Sequence, residues 1–294
     1  VAVTGVQTCA LPISVHTSNR GFGTGIVDQY LDDRNLTGLS VLMGGGRKWF
    51  LPNLDPLKSD GSRTSQPMNG SQRDTQTDYV LPADVVKAWG AASGQKDATR
   101  DLIADFRSQG FTYAPDKSTL MSEGPKSNKL LGLFSMSNMN VALDKIRARR
   151  GRSTIVEDYR CQDQPMIDEM TRVALEVLAK NKNGFIAMIE GASIEKQAHL
   201  MDTDRWLLEM VEFDRAVAVA QEFASRHPDT LVIVTADHEC AGAAVIGAST
   251  KPVSALWDAT GSPGVDRQRN AIVGVYQAAK FPRYKVLEIG RAHV

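Results

Sequence analysis

No apolar run in these 294 residues approaches the roughly 18 that a membrane-spanning helix requires, so a membrane partner is not expected. No surplus of either charge exists, since Lys+Arg and Asp+Glu both number 34. Phosphate backbones are bound mainly through excess Lys and Arg, so no nucleic-acid partner is expected either. Cysteine is scarce: Cys9, Cys161 and Cys240 lie too far apart for a zinc ribbon or a redox CxxC pair. Pairing of Cys161 with Cys240 stays open, because sequence distance does not set Cα separation. No dinucleotide fingerprint follows a strand, which disfavours a nucleotide-binding dehydrogenase. Gly44, Gly45 and Gly46 match neither that pattern nor the phosphate-cradling P-loop and read as a tight turn or close-packing device. No internal repeat is evident.

What is present is an ordinary globular composition, 42% hydrophobic and 23% charged, long enough for one large α/β domain or two small ones. Residues 1–14 (VAVTGVQTCALPIS) and 288–294 (EIGRAHV) resemble translated sequencing-adaptor segments and are expected to be non-native, with the natural gene continuing beyond both. Residues 15–287 form the domain proper. A short amphipathic helix is expected over 24–31 with Thr24 as N-cap, then a polar turn. Leu39 to Met43 read as a buried strand stopped by the glycines. Residues 53–79 turn to Asp, Ser, Gln, Asn, Gly and Pro and read as a polar surface excursion. Further on, helices are expected over 98–108, from Pro165 onward and over 204–225. Strands are expected at 111–113, 129–134, 185–189 and 230–235. In the long helix Leu207, Leu208, Val211, Phe213, Ala216, Val217 and Ala220 are available for burial. Strands alternating with helices argue for an α/β fold, a mostly parallel central sheet with helices on both faces.

The polar residues fall where such sheets bind ligands, at the carboxyl ends of strands. Glu190 ends one expected strand. Glu195 and His199, four apart, share a face if one helical turn follows, and a carboxylate and an imidazole so placed can reach one Zn²⁺. Asp237 and His238 end the other strand as a second oxygen/nitrogen pair. Alone, a Glu-x3-His on a helix is usually a solvated or hydrogen-bonded pair, and an Asp-His after a strand is usually a turn or cap. Their occurrence at two strand ends of one domain raises the metal reading. His227 before Pro228 reads as a helix C-terminal residue facing the dipole, and Met166 and Met170 read as core.

Glu-Gly-Ala-Ser-Ile-Glu-Lys-Gln-Ala-His (190–199) followed by Thr-Ala-Asp-His (235–238) resembles the two downstream metal-binding motifs of alkaline phosphatases. Val-Leu-Met-Gly-Gly-Gly-Arg-Lys-Trp-Phe (41–50) resembles that family's glycine-rich segment, and the resemblance spans roughly residues 18–248. It implies two Zn²⁺ and one Mg²⁺ in the complete protein, with Glu190 on the magnesium, Glu195 and His199 on one zinc, and Asp237 and His238 on the other. Lys196 stands where some members carry a basic residue near the phosphate. Glu195 departs from the more usual Asp by one methylene.

The resemblance also implies a phosphomonoester substrate, a transiently phosphorylated serine, a homodimer as one arrangement, and a periplasmic or secreted location. No Asp-Ser followed by small residues, the family's nucleophile signature, occurs here, so no catalytic residue is assigned. An upstream aspartate and a last zinc histidine are likewise missing, and no arginine is assigned to clamp the phosphate. The expectation is an incomplete phosphatase without turnover and with weak zinc binding. Rival readings are another enzyme of the superfamily (phosphodiesterase, sulfatase or phosphomutase) or a non-catalytic metal-binding or structural protein on the same scaffold.

Overall fold

A computed structural model describes residues 2–4, 25–55, 58–59, 67–73, 87, 98–146, 163–199 and 202–238. In chain order the regular elements are β1 (Ala2–Thr4), α1 (Ile26–Asp32), α2 (Arg34–Thr37), β2 (Val41–Gly44), α3 (Leu102–Ser108), β3 (Thr112–Ala114), α4 (Lys117–Glu123), β4 (Leu130–Leu133), α5 (Ala142–Ile146), α6 (Ile167–Leu178), β5 (Ala187–Ile189), α7 (Ala192–His199) and α8 (Thr203–Arg226), with 3-10 turns at Arg47–Trp49 and Gly124–Lys126. The five strands form one sheet in the order β3-β4-β2-β1-β5. Every pairing is parallel, in registers such as Val41 with Leu130 and Thr112 with Leu130. All carboxyl ends therefore lie along one edge.

Helices cover both faces because side chains alternate along each strand. Leu42, Leu131 and Leu133 point into one cluster with Tyr30 and Leu31 of α1 and Leu102 and Phe106 of α3. Val41, Met43 and Leu130 point the other way, against Leu120 of α4 and Met170, Val173, Ala174, Val177 and Leu178 of α6. Burial on both sides explains why these strands read as continuous apolar runs. Ends follow local chemistry: Asp101, Asp116 and Asp202 cap α3, α4 and α8 by accepting backbone N–H groups.

Five expectations change. Helix α1 starts after Gly25, which holds φ +66° and offers no side-chain cap, whereas Thr24 lies outside the described residues. The turn after α1 is a single residue, Asp33, before α2. Part of the polar excursion packs inward: Ser71 and Arg73 are buried, as is Asn53, and Asn53 Nδ2 donates to the Arg73 carbonyl at 2.8 Å. Residues 230–235 form no strand. They pair with no strand among the described residues, and Leu231 and Ile233 are 81% and 76% exposed. In α8, Ala216, Val219 and Phe223 are buried while Leu207, Met210 and Val211 are exposed.

The terminal stretch set aside on composition contributes β1, paired with β2 on one side and β5 on the other. A parallel ladder bonds backbone to backbone, so a three-residue segment of strand-compatible residues fills the gap whatever its origin. The three cysteines lie outside the described residues.

The glycines after β2 are required by packing. A Cβ on Gly45 would sit 2.2 Å from the Ser137 carbonyl oxygen. This close approach lets Gly46, Arg47 and Lys48 donate their N–H groups to the carbonyls of Ser137, Ser135 and Met136 at 2.8–3.1 Å. Gly45→Ala should therefore cost about 2–3 kcal/mol through backbone displacement, read as a lowered urea midpoint with an unchanged slope.

Helix α8 carries the short α5. Arg205 binds Asp144 at 2.9 Å and Asp202 at 2.5 Å, and the Glu209 carboxylate accepts the Ala142 N–H that opens α5. Burial raises the Glu209 pKa above the ordinary carboxyl range, opposed by Lys145 and the Ala142 bond. A folded-state pKa above the unfolded one gives stability that is full below the unfolded value and is lost as pH rises through the folded value. Glu209→Gln keeps the acceptor and removes the titration. The variant should lose less stability than wild type as pH rises above the ordinary glutamate pKa of about 4.3, as urea midpoints will report.

Candidate metal centre

Strand β5 delivers Glu190 to the carboxyl edge of the sheet, and Gly191 turns the chain straight into α7. A Cβ on Gly191 would lie 2.9 Å from Ile194 Cδ1 and 3.1 Å from the Phe213 ring of α8. The missing side chain is what lets α8 pack against this turn. Glu195 stands in the first turn of α7 and His199 at its last residue, so both project from one face. His199 Nε2 and Glu195 Oε1 are 3.3 Å apart.

The exposed chain after α8 returns to the same point. His238 Nε2 lies 3.7 Å from Glu195 Oε1 and 3.5 Å from Asp237 Oδ2, and its backbone N–H donates to Asp237 Oδ1 at 3.1 Å. The structure thus brings His199 and His238 to the Glu195 carboxylate, with Asp237 beside His238; the side chains of Glu195, His199, Asp237 and His238 are 38%, 50%, 55% and 46% exposed. Glu190 stands at the head of the same turn, half-buried, with Oε2 a buried atom. Lys196 is half-buried on α7.

A tetrahedral zinc with bonds of about 2.0–2.1 Å separates its ligands by about 3.3 Å. The His199–Glu195 distance equals that edge and the His238–Glu195 distance slightly exceeds it. The donors therefore fit a divalent cation in kind and in pairwise spacing. Among the described residues no three such groups close around a common point. The cluster is an open, water-exposed half-shell, and Glu195 Oε1 is its shared corner.

The sequence profile of the family described as Alkaline phosphatase matches residues 13–289. The chain belongs to the alkaline phosphatase family. It is 32% identical over 207 residues to alkaline phosphatase of Escherichia coli K12, covering 65% of this chain and 44% of that protein. Streptomycin-6-phosphate phosphatase of Streptomyces griseus is 36% identical over 151 residues, 47% of this chain and 33% of that one. The crystal structure of Thermus thermophilus alkaline phosphatase superposes with a TM-score of 0.52 at 22% identity, covering 78% of this chain and 37% of the other, which shows the shared fold. The chain spans less than half the length of these relatives.

Sequence reasoning missed two groups near the site. Tyr30 of α1 is buried, and burial followed by the charge of Glu190 raises its pKa well above the ordinary phenol value. Gln197 of α7 is fully buried and neither polar atom of its side chain has a hydrogen-bond partner among the described residues. Neither carried a local signal. A tyrosine 160 positions from a carboxylate feels its charge only once the chain has folded. His227 behaves as expected at the end of α8: Nδ1 contacts the Phe223 carbonyl at 2.9 Å and the ring stacks on Phe223 at 4.0 Å.

Proposed function

We propose that the complete protein hydrolyses phosphate monoesters at the carboxyl edge of this sheet, using two Zn²⁺ and one Mg²⁺. The observation that carries this reading is the shared approach of His199 and His238 to Glu195 Oε1. Membership of a family whose relatives are named as phosphatases supports the same reaction class. Glu195 and His199 would hold one zinc, Asp237 and His238 the other, and Glu190 the magnesium. The two pairs border each other, as neighbouring ions about 3.5–4 Å apart would require. Bound cations would neutralise the phosphate and assist the entering and leaving oxygens of an in-line displacement. Lys196, one residue past Glu195, adds a positive charge that orients the anionic ester. Glu195 and Asp237 keep the imidazoles turned toward the site, which limits reorganisation when a cation binds.

The phosphorylated nucleophile belongs to sequence that this chain does not contain, so the 294-residue chain should show no turnover. Export to the periplasm or beyond the cell, and a homodimer, are part of the same proposal. The test is hydrolysis of a chromogenic phosphomonoester, with and without added Zn²⁺, by the chain and by the longer gene product. Zinc-dependent turnover is expected only in the longer protein and lost in its His238→Ala variant. Turnover by the short chain, abolished by His238→Ala, would overturn the placement of the nucleophile outside it.

A further inference from the structure

Helix α7 ends on His199, and its last turn is closed from outside the helix: the Asp202 N–H donates to the Gln197 carbonyl at 3.1 Å. A bond of that reach commonly seals a helix C-terminus. Asp202 is also the N-cap of α8, where Oδ1 accepts the Arg205 N–H at 3.2 Å. One residue therefore joins the end of α7 to the start of α8. Arg205 fixes the joint. Its Nη1 donates to Asp202 Oδ2 at 2.5 Å, while Nε and Nη2 donate to Asp144 Oδ1 at 3.2 and 2.9 Å. Asp144, on α5, is fully buried, and its Oδ2 has no hydrogen-bond partner among the described residues. A buried ion pair with an unsatisfied oxygen is a poor source of stability. A planar guanidinium that spans two carboxylates nonetheless sets their separation firmly. The His199 side chain is 50% exposed, so the backbone of the last turn, more than packing, sets where its ring stands.

We propose that Arg205 is a positioning residue for His199: by holding Asp202 against α5 it keeps the last turn of α7 closed and the His199 ring 3.3 Å from Glu195. Helix ends are the first backbone to open locally. Glu195 stands in the first turn of α7, so opening at the other end leaves it in place with His238 and carries His199 away. Asp144 thereby serves the site from α5, although it touches none of the metal-type donors. The consequence for zinc rests on the reading of His199 as a ligand. The closure of the turn does not.

The experiment uses the whole chain as wild type, Arg205→Ala, Arg205→Lys, His199→Ala, and Arg205→Ala combined with His199→Ala. Amide hydrogen exchange is followed by NMR, and Zn²⁺ affinity by competition with a chromophoric chelator. In Arg205→Ala the amides of His199 and Asp202 should exchange about 10-fold faster or more, while those of β4 stay unchanged. Zn²⁺ affinity should fall about 10-fold, the scale of losing an outer partner of a ligand, and the same substitution should have no further effect once His199 is alanine. Arg205→Lys offers a point charge that cannot span both carboxylates. It should give the same pattern at smaller amplitude, and it decides the matter if the alanine variant does not fold. Unchanged exchange at His199 and Asp202, or an equal loss of Zn²⁺ affinity in both backgrounds, would overturn the proposal. Wild-type chain that binds no Zn²⁺ would count against His199 as a ligand, and the exchange comparison would still decide whether Arg205 holds the turn.

Discussion

Asp28→Ala should cost about 3–5 kcal/mol of folding stability, the loss expected when one partner is removed from a buried ion pair. The Asp28 side chain is 1% exposed and accepts from Arg73 at 3.0 and 2.8 Å in a two-pronged contact. Arg73 is 2% exposed, so without Asp28 its guanidinium faces a desolvated site without that counter-charge. Arg100 also reaches Asp28 at 3.4 Å, and holds Asp32 and Asp105 at 2.7 Å each. The network thus ties α1 to residues 67–73 and to the start of α3. Domains of this size are stable by only about 5–15 kcal/mol, so the change takes a large share. The measurement is urea unfolding, with protease sensitivity across residues 67–73 as a second readout. A loss below about 1 kcal/mol would mean that Arg73 swings out to water and that the contact is an ordinary surface pair.

Glu195→Ala should weaken Zn²⁺ binding by at least about 100-fold, more than the 10- to 100-fold typical of changing an outer partner, because both imidazoles converge on its oxygen. Glu195→Asp should keep most of the affinity, because the shorter carboxylate is the commoner residue at this place in the family the chain resembles. Competition with a chromophoric chelator separates the two variants. Their urea midpoints should stay within about 0.5 kcal/mol of wild type, as expected of a 38% exposed side chain. Unchanged Zn²⁺ affinity in Glu195→Ala would reduce the His199 and His238 contacts to solvated ion pairs.

Much of the architecture was legible because its signals are local. Leu39 to Met43, Lys129 to Phe134 and Phe185 to Ile189 are apolar runs bounded by turn residues, and strands formed within each. The stripe Met170, Val173, Ala174, Val177 and Leu178 has helical spacing and is buried in α6. Of the candidate site, the pairing of Glu195 with His199 was legible because they lie four apart on α7, whereas Asp237 and His238 follow a segment that does not form the expected strand.

The segment Leu231, Val232, Ile233 and Val234 shows where local reading stops. Its β-branched residues suit a strand, but β propensity expresses fit to neighbours more than an intrinsic preference of the backbone. With no ladder partner among the described residues the segment forms no strand and is largely exposed. Leu207 and Val211 of α8 repeat the lesson, since amphipathic spacing says which side chains could be covered and not which surface covers them.

By itself, the amino-acid sequence determined the alternation of strands and helices and the glycine-bounded ends, because these depend on side-chain periodicity and backbone preference within a few residues. Only the tertiary structure decided that Arg73 is buried on Asp28, that residues 2–4 complete the ladder between β2 and β5, and that His238 reaches Glu195. Each of those contacts closes a long loop, and desolvation or backbone pairing between distant segments, rather than any local pattern, selects the partner.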